Sequence, residues 1–250
     1  MFVELIKMII GCYSKTRRLC SVVFVVLCMV SFCQNIYAAD YCNINEIKQV
    51  TERKLYGQFT SDVENRWVST PDIINRRPEY NDGYIMIGDS RQVCMDLYLG
   101  INSTYDNWFS VGCSGQGLYY MEQVGVPTAM RVEEGHPEIK KWHYIITMGV
   151  NDMTNKSLYK AYIQNLAGVK DVYFVSVNPV VDSDNLLLLG YSNALIRDFN
   201  REMLGIPGVK YIDTYSSLMR NGYNTGADGL HYTRDTSAYI YSLIKTGVIR

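Results

Sequence analysis

The chain has 250 residues, and its 24 basic and 25 acidic side chains give it a formal net charge of −1 at pH 7. A balance this close to neutral does not predict nucleic acid or an anionic membrane surface as a partner, because both attract strongly basic proteins. The length suffices for one domain with a full hydrophobic core, and the sequence shows neither an internal repeat nor a low-complexity tract.

The N-terminal region has the three parts of a secretory signal peptide. Lys15 and two arginines precede an uncharged apolar run over residues 19–33, and small residues follow at Ala38. We therefore expect residues 1–38 to be a signal peptide and the protein to be secreted or held in the cell envelope. The apolar run is shorter than the ~20 residues of a membrane-spanning helix. An uncleaved N-terminal anchor is the alternative, and it would be the protein's contact with a membrane.

Four of the seven cysteines lie in the predicted signal peptide. The other three, Cys42, Cys94 and Cys113, are too few and too irregularly spaced for a disulfide framework or a zinc site. Export permits a disulfide, and Cys94 and Cys113 are the candidate pair because each lies just beyond a motif discussed below. No cluster of His, Cys and carboxylate residues has the spacing of metal ligands, so we expect no metal and no cofactor.

Residues 39–80 form a polar segment interrupted by Pro71 and Pro78, with one predicted helix over residues 44–55 and no strong strand. We interpret this segment as an N-terminal extension packed on the domain that follows, residues 81–250. In that domain, short apolar runs rich in β-branched and aromatic residues alternate with helical patterns. The predicted strands are 84–87, 108–111, 144–148, 172–177 and 209–212. The predicted helices are 92–99, 117–124, 157–166, 191–203 and 236–246.

Strands that alternate with helices over short links predict a parallel sheet covered by helices on both faces. In helix 191–203, Leu195, Phe199 and Met203 recur every four residues and are expected to form one apolar stripe. Ligands of such sheets bind beyond the carboxyl ends of the strands. Residues just after each predicted strand are therefore the candidates for chemistry.

Three of the predicted strands end in polar clusters. Asp89-Ser90 follows the first strand, and Ser90 would lie at the start of the next helix as a candidate catalytic residue. The alternative is that Asp89 or Ser90 only caps this helix. The glycine-rich loop 112–117 follows the second strand and either directs backbone N–H groups at an anion or is a flexible turn. Asn151 follows the third strand, where its amide either donates to an oxyanion or caps a helix.

A serine nucleophile needs a base that accepts its proton and a carboxylate that holds the base in one tautomer. Of the three histidines, His231 has an aspartate, Asp228, three residues before it, so one turn of chain can place the two side chains together. His136 lies in a charged loop and His143 leads into a predicted strand, and both fit this role less well. Ser90, His231 and Asp228 together predict a serine-dependent acyl hydrolase.

These clusters resemble, in the same order, the motif blocks of the SGNH hydrolases, also called GDSL lipases or esterases. The matching residues are Gly88-Asp89-Ser90, Gly112, Gly149-Val150-Asn151-Asp152 and Asp228-Gly229-Leu230-His231. The resemblance spans residues 84–246. It implies a three-layer α/β/α sandwich with a parallel sheet, the flavodoxin-like fold of that family, and ester hydrolysis without a metal.

The resemblance also implies a role for each site residue. Ser90 is the expected nucleophile, His231 the general base and Asp228 the carboxylate that orients it. The expected oxyanion hole consists of the backbone N–H groups of Ser90 and Gly112 and the side-chain amide of Asn151.

One residue departs from the family pattern. Arg91 follows the serine, where many members carry an aliphatic residue. Its guanidinium could bind an acidic group of the substrate, but we expect it to pair with a surface carboxylate. Gln92 stands where a G-x-S-x-G elbow would have its second glycine, which argues against the α/β-hydrolase fold.

We expect an exported serine esterase that removes short acyl groups, acetyl above all, from carbohydrate, so its partner is a small-molecule or polysaccharide ester. The reasons are the predicted export, the lack of a long apolar insertion between the motif blocks, and the 21 tyrosines, whose amphipathic rings suit sugar surfaces. A lipid-directed acyl hydrolase of the lysophospholipase or thioesterase type is the alternative, because it would share the same blocks. A non-catalytic binding domain of the same fold is a further alternative. The sequence lacks the ligand clusters of a two-metal phosphatase.

Overall fold

The computed structural model describes residues 68–69, 71, 80–104 and 106–249. The predicted signal peptide, the predicted helix over residues 44–55 and Cys42 lie outside the described residues. Within the described ranges, no helix is long and apolar enough to cross a membrane.

The strands of the central sheet are β1 (Val68–Ser69), β2 (Asp82–Gly88), β3 (Trp108–Cys113), β4 (Lys141–Thr147), β5 (Asp171–Val175) and β6 (Val209–Ile212). Their order across the sheet is β1-β3-β2-β4-β5-β6, and β2 to β6 are parallel. The five parallel strands follow the flavodoxin-like order, in which the first of them, β2, lies between β3 and β4, and this order confirms the predicted parallel sheet.

Helices cover both faces of this sheet, as expected of a three-layer sandwich. Side chains alternate along each strand, so that Ile85 and Ile87 join the core on one face while Met86 joins the core on the other. The helices are α1 (Ser90–Leu99), α2 (Val126–Gly135), α3 (Lys156–Ala167), α4 (Asp184–Leu188), α5 (Asn193–Leu204), α6 (Thr214–Asn221) and α7 (Arg234–Ile249). Helices α2, α3 and α5 contribute to the first core, and α1, α6 and α7 contribute to the second.

Strand β1 was not expected from the sequence, which showed no strong strand in the predicted N-terminal extension. It pairs antiparallel with β3, where Ser69 lies opposite Gly112. The Ser69 side chain is buried, and its hydroxyl donates a hydrogen bond of 2.6 Å to the carboxylate of Asp96 in α1. A two-residue strand has no readable periodicity, so tertiary contacts of this kind determine it.

The helix predicted over residues 117–124 continues much further than expected. A short helix at Leu118–Tyr120 leads into a π-helical turn at Met121–Gly125 and then directly into α2. Pro127 cannot donate the regular backbone hydrogen bond of a helix, yet it does not end this one. It lies instead in the first turn of α2, just after the π-turn, which the Val126 N–H closes on the Met121 carbonyl.

The apolar stripe predicted for α5 differs from the observed one at its first residue. Phe199 and Met203 are fully buried as expected, but Leu195 is 40% exposed. Ile196 takes the buried place, and Asn200 lies on the same side, where its amide brackets the backbone of Val177 through hydrogen bonds of 2.8 and 2.9 Å. The helix turns this polar residue inward because the chain beyond β5 needs hydrogen-bond partners there.

Gly149, just beyond β4, has a backbone conformation that is unfavourable for residues other than glycine. Its φ is +129°, and an added Cβ would lie 2.6 Å from the ring of Phe199. We predict that Gly149→Ala lowers the free energy of unfolding by roughly 2 kcal/mol or more, because strain and overpacking act together. Urea denaturation measures this change.

Gly205→Ala is the matched control, since Gly205 has an ordinary negative φ and nothing within 4 Å of an added Cβ. Its stability should stay within about 1 kcal/mol of the unmodified protein. Equal stability of the two variants would contradict the close approach of Gly149 to Phe199.

Candidate active site

Ser90 lies at the sharp turn from β2 into α1, at the carboxyl edge of the sheet. Gly88 permits this turn, because a Cβ there would lie 2.2 Å from Gln92 and 2.3 Å from Thr147. Asp89 caps the helix by accepting a hydrogen bond of 3.0 Å from the backbone N–H of Arg91. The capping alternative therefore holds for Asp89, and Ser90 is left as the first residue of the helix with its hydroxyl available for other contacts.

Ser90, His231 and Asp228 form one continuous hydrogen-bonded chain. The Ser90 Oγ lies 2.8 Å from His231 Nε2, and His231 Nδ1 lies 2.5 Å from Asp228 Oδ2. An ionised carboxylate only accepts hydrogen bonds, so Nδ1 carries the ring proton and Nε2 is left to accept the proton of Ser90. The fold thus joins the three residues that the sequence selected, although Ser90 and His231 are 141 positions apart.

The turn that carries His231 is built around Asp228. Oδ1 of Asp228 accepts the backbone N–H groups of Leu230 at 2.9 Å and of His231 at 3.0 Å, while Oδ2 faces the imidazole. Gly229 has a φ of +68°, which closes this tight loop at low steric cost. The single carboxylate therefore holds the backbone and the ring of its histidine at once.

The electrostatics of the loop favour an ionised Asp228. Burial by itself would raise the pKa of this carboxyl, but the hydrogen bond and charge of His231 and the two backbone N–H groups bring the pKa below its ordinary value. The stabilisation that comes from this shift is fully present above the unfolded aspartate pKa of about 3.9 and is lost as the pH falls through the folded value. At neutral pH the carboxylate is charged and able to stabilise an imidazolium.

The other two histidines lie elsewhere in the fold. His143 is near the amino end of β4 and contacts Asp171 at 2.7 Å and Asp82 at 3.1 Å. His136 follows α2 and contacts Glu138 at 2.8 Å. Of the three histidines, His231 is therefore the one that contacts Ser90.

Asn151 is held by partners on two sides. Its Nδ2 donates to the Gln116 carbonyl at 2.7 Å, and its Oδ1 accepts from the Tyr191 hydroxyl at 3.3 Å. A side-chain amide has two N–H bonds, so one remains for a substrate. Neither Gln116 nor Tyr191 was selected from the sequence, and no local motif marks either of them as a partner of Asn151.

Asp152, the next residue, has a structural role. Its carboxylate accepts the Leu118 N–H at 2.8 Å and the Tyr159 hydroxyl at 2.7 Å. The first of these bonds anchors the start of the helix that follows the glycine-rich loop. Gly117 must be a glycine here, because a Cβ would lie 2.3 Å from the Asp152 carboxylate.

Gly112, the predicted second backbone donor of the oxyanion hole, is the next-to-last residue of β3. It is paired with Gly88 of β2 on one side and with Ser69 of β1 on the other. It therefore lies beside the strand that leads to Ser90, and its role as an oxyanion donor stays a prediction.

Arg91 contacts backbone carbonyls and an aromatic ring. No ion pair joins it to a carboxylate among the described residues, and its guanidinium donates to the backbone carbonyls of Leu230 at 3.1 Å and Asn178 at 2.9 Å. It also lies over the ring of Tyr232, 5.0 Å from the centroid. In the part of the chain that the structure describes, these contacts stand in place of the expected surface carboxylate.

Cys94 and Cys113, the candidate pair, are both buried, and no disulfide joins the two. In the ranges that the structure describes, no three histidine, cysteine or carboxylate side chains come together as a metal site.

A doubly wound sheet with hydrogen-bonded Ser, His and Asp side chains at its carboxyl edge matches the fold of the SGNH, or GDSL, hydrolases. This protein has that fold. It is similar to the structure of a GDSL-like lipase from Bacteroides thetaiotaomicron, with 14% identity over 84% of this chain and 98% of the other and a TM-score of 0.51. No protein-family model matches the chain, and no curated protein is similar to it in sequence.

Two further solved structures share the fold. The catalytic domain of peptidoglycan O-acetyltransferase A from Streptococcus pneumoniae is 16% identical over 67% of this chain and 93% of the other, with a TM-score of 0.51. A lipase/acylhydrolase from Enterococcus faecalis is 12% identical over 68% and 95%, with a TM-score of 0.50. Similarity at these identities establishes the fold, and the chemistry must be argued from the site itself.

Asp228→Asn tests whether this carboxylate sets the tautomer of His231. The amide oxygen can still accept both backbone N–H groups, but its NH₂ group would face Nδ1 and place the ring proton on Nε2. We predict a fall in kcat for ester hydrolysis of about 10⁴-fold, as for the same substitution in other serine hydrolases.

Asp213→Asn is the matched control. Asp213 caps α6 by accepting the Ser216 N–H at 2.9 Å and has no part in the catalytic chain. Its kcat should equal that of the unmodified enzyme. A kcat for Asp228→Asn within tenfold of this control would show that the carboxylate does not orient the base.

Proposed function

We propose that the protein is an exported serine esterase that hydrolyses carboxylic esters through an acyl-enzyme intermediate. The observation that carries the proposal is the unbroken chain from Ser90 Oγ through His231 to Asp228, at 2.8 and 2.5 Å. Each member has the neighbour that its role requires. The SGNH hydrolase fold adds support, because ligands of such sheets bind beyond the carboxyl ends of the strands, which is where Ser90 lies.

In the acylation step, Ser90 Oγ attacks the carbonyl carbon of the ester while its proton passes to His231 Nε2. The resulting imidazolium is stabilised by Asp228, and the carbonyl oxygen becomes an oxyanion. When this intermediate collapses, the bond from carbon to the alcohol oxygen breaks. The leaving alcohol takes the proton from Nε2, and the acyl group remains on Ser90.

Deacylation repeats the sequence with water. His231 Nε2 removes a proton from a water molecule, whose oxygen attacks the acyl carbon. The second tetrahedral intermediate expels Ser90 Oγ, which recovers the proton from the imidazolium. The products are the free carboxylic acid and the unmodified enzyme.

Two donors in the structure suit the oxyanion. Ser90 is the first residue of α1, and the first N–H groups of a helix lack acceptors within it. The second Nδ2–H of Asn151 is oriented by the bonds that this side chain makes to Gln116 and Tyr191. Donors that are fixed in advance stabilise the transition state because they need no reorganisation during the reaction.

Substitution of the nucleophile and of the oxyanion donor tests the proposed chemistry. Ser90→Ala should abolish hydrolysis of p-nitrophenyl acetate, because nothing else can form the acyl-enzyme. Asn151→Ala should lower kcat by roughly 10²–10³-fold with little change in KM, since its donor acts on charge that appears only in the transition state. Thermal unfolding should show that both variants are folded.

Ser217→Ala is the control for loss of a hydroxyl, because this side chain lies in α6 and donates to the Asp213 carbonyl. It should retain full activity. Hydrolysis by folded Ser90→Ala within tenfold of this control would remove Ser90 from the mechanism. A change confined to KM in Asn151→Ala would make Asn151 a substrate-binding residue.

We further propose that the substrates are short acyl esters of carbohydrate, most of all acetyl esters. Predicted export directs the enzyme to extracellular or envelope substrates. Tyr119 is exposed two residues beyond Gly117, and Tyr191 reaches Asn151, so aromatic rings border the glycine-rich loop and the oxyanion donor. Such rings pack on the apolar faces of sugars and hydrogen-bond at their edges. Peptidoglycan O-acetyltransferase A, one protein of similar fold, is named for acetyl transfer to a glycan.

One observation favours the lipid-directed alternative. Leu187, Leu188 and Leu189 are 61%, 86% and 56% exposed at the end of α4. This leucine turn directly follows Leu186, whose Cδ1 lies 3.2 Å from the position of a Cβ added to Gly229, in the loop that carries His231. The sequence suggested no long apolar insertion, and the turn is short, but an exposed apolar cluster beside an active site suits an acyl chain.

Esters of increasing acyl length distinguish the two substrate classes. We predict that kcat/KM is highest for p-nitrophenyl acetate and falls through butyrate, octanoate and palmitate. We also predict that acetate is released from acetylated polysaccharide. The double variant Leu187→Ser/Leu188→Ser should leave these values unchanged, because an acetyl group has too little apolar surface to gain from contact with leucines.

Leu204→Ser is the matched control, because Leu204 is also 61% exposed but lies at the other end of α5. A rise in kcat/KM toward octanoate, lost in the double variant and kept in Leu204→Ser, would refute the carbohydrate substrate. It would establish the leucine turn as an acyl-chain site.

A further inference from the structure

We propose that Arg91 is a positioning residue, which holds the loop of the general base against the helix of the nucleophile. The proposal rests on the proposed serine-esterase function and adds a component that the Ser-His-Asp chain does not contain. Arg91 directly follows Ser90 at the start of α1, so its backbone moves with the nucleophile. Its side chain reaches residues on both sides of His231.

The contacts of the guanidinium bracket the base. Nε donates to the carbonyl of Leu230, the residue before His231, at 3.1 Å. The cation lies 5.0 Å from the ring centroid of Tyr232, the residue after His231. A planar guanidinium can make such a hydrogen bond and a stacking contact together, which the point charge of a lysine cannot reproduce.

The third contact ties this bracket to a rigid part of the fold. Nη1 of Arg91 donates to the Asn178 carbonyl at 2.9 Å, in the segment that leaves β5. The same segment accepts the Tyr232 hydroxyl at Pro179 and the Tyr223 hydroxyl at Val180. Arg91 therefore joins three elements at the carboxyl edge of the sheet, which are α1, the extension of β5 and the base loop.

The segment after β5 is itself fixed by buried side chains. Asn193 brackets the backbone of Val180 with hydrogen bonds of 3.1 and 2.8 Å, and Thr214 donates to the Asn178 side chain at 2.7 Å. A base loop that is fastened to this segment has little freedom to move its imidazole away from Ser90. Catalysis depends on such precision, because a displacement of about 1 Å can cost roughly 100-fold in rate.

The geometry does not suit a direct contact between Arg91 and an anionic substrate. Two of its donors are occupied by backbone carbonyls. The remaining nitrogen, Nη2, is buried and has no hydrogen-bond partner among the described residues, so it is not open to solvent. A buried donor without a partner carries a desolvation cost, so stability alone does not explain an arginine at this position.

Arg91→Met and Arg91→Lys test the proposal. Methionine fills similar space without any donor, and lysine keeps a cation near Tyr232, but its single nitrogen cannot take the places of both Nε and Nη1. We expect both variants to lose roughly 10- to 100-fold in kcat toward p-nitrophenyl acetate with KM unchanged and Tm within a few degrees. Arg201→Met is the matched control, since Arg201 is an exposed arginine of α5 paired with Asp198, and it should behave as the unmodified enzyme.

A second readout needs no ester hydrolysis. The proton between His231 Nδ1 and Asp228 Oδ2 should give a downfield proton NMR signal in the unmodified protein and in Arg201→Met. The signal should be shifted or broadened in both Arg91 variants. If the unmodified protein shows this signal but hydrolyses no ester, the proposed function fails, and the response of the signal to the Arg91 variants still decides the positioning role.

Three results would overturn the proposal. The first is unmodified kcat in folded Arg91→Met and Arg91→Lys. The second is a raised KM with unmodified kcat, which would make Arg91 a substrate-binding residue. The third is a lower kcat that merely follows a lower folded fraction while the downfield signal stays unchanged, which would leave Arg91 a purely structural residue.

Discussion

The hydrogen bond between His231 Nε2 and Ser90 Oγ is the contact on which the proposed chemistry depends, and it joins two segments 141 residues apart. Neither segment alone determines the length of this hydrogen bond. Ser90 is placed by the turn between β2 and α1, which requires Gly88, and His231 is placed by the loop around Asp228. A parallel sheet brings both to one edge, because its strands all end on the same side. The sheet brings the two segments close together, and the local turns set the hydrogen-bonding distance between Ser90 and His231.

In two of the motif blocks, a residue with a structural role stands beside a residue of the proposed chemistry. Asp89 caps α1 while Ser90 faces the imidazole. Asp152 accepts the Leu118 N–H at the start of a helix, while Asn151 donates to the Gln116 carbonyl with one of its two N–H bonds. The capping and catalytic interpretations of these blocks are therefore compatible, because they concern adjacent residues. Carboxylates can serve the structural role inside the fold because backbone N–H groups satisfy them.

Much of the fold could be predicted from the sequence, because its central strands are short apolar runs separated by helical patterns. The run at Val209–Ile212 was predicted with its observed ends, and the other strands differ by a few residues. Prediction was poorer where tertiary contacts override local pattern. The two-residue strand β1 has no period of its own, and the buried side of α5 is set by the need to place Asn200 beside Val177.

The same distinction applies to the candidate site. Ser90, Asp228 and His231 could be predicted because their chemistry requires those residue types, and only three histidines had to be compared. The place of Gly112 in the sheet could not be predicted, because it lies opposite β1, a strand that the sequence did not reveal. The partners of Arg91 could not be predicted either, since they are backbone carbonyls, and a carbonyl has no residue-type signature.

The substrate is harder to infer than the reaction for a related physical reason. The groups that set the reaction are buried or half-buried and constrained by several hydrogen bonds, so few arrangements are compatible with the sequence. The groups from which the substrate class was argued, Tyr119 and the leucine turn, are exposed. Packing therefore places almost no constraint on them, and their chemistry must be judged against ligands outside the protein. Acyl-chain length is the decisive variable between sugar and lipid, because each added methylene of an acyl chain gains free energy from burial against leucines, whereas an acetyl group gains little from it.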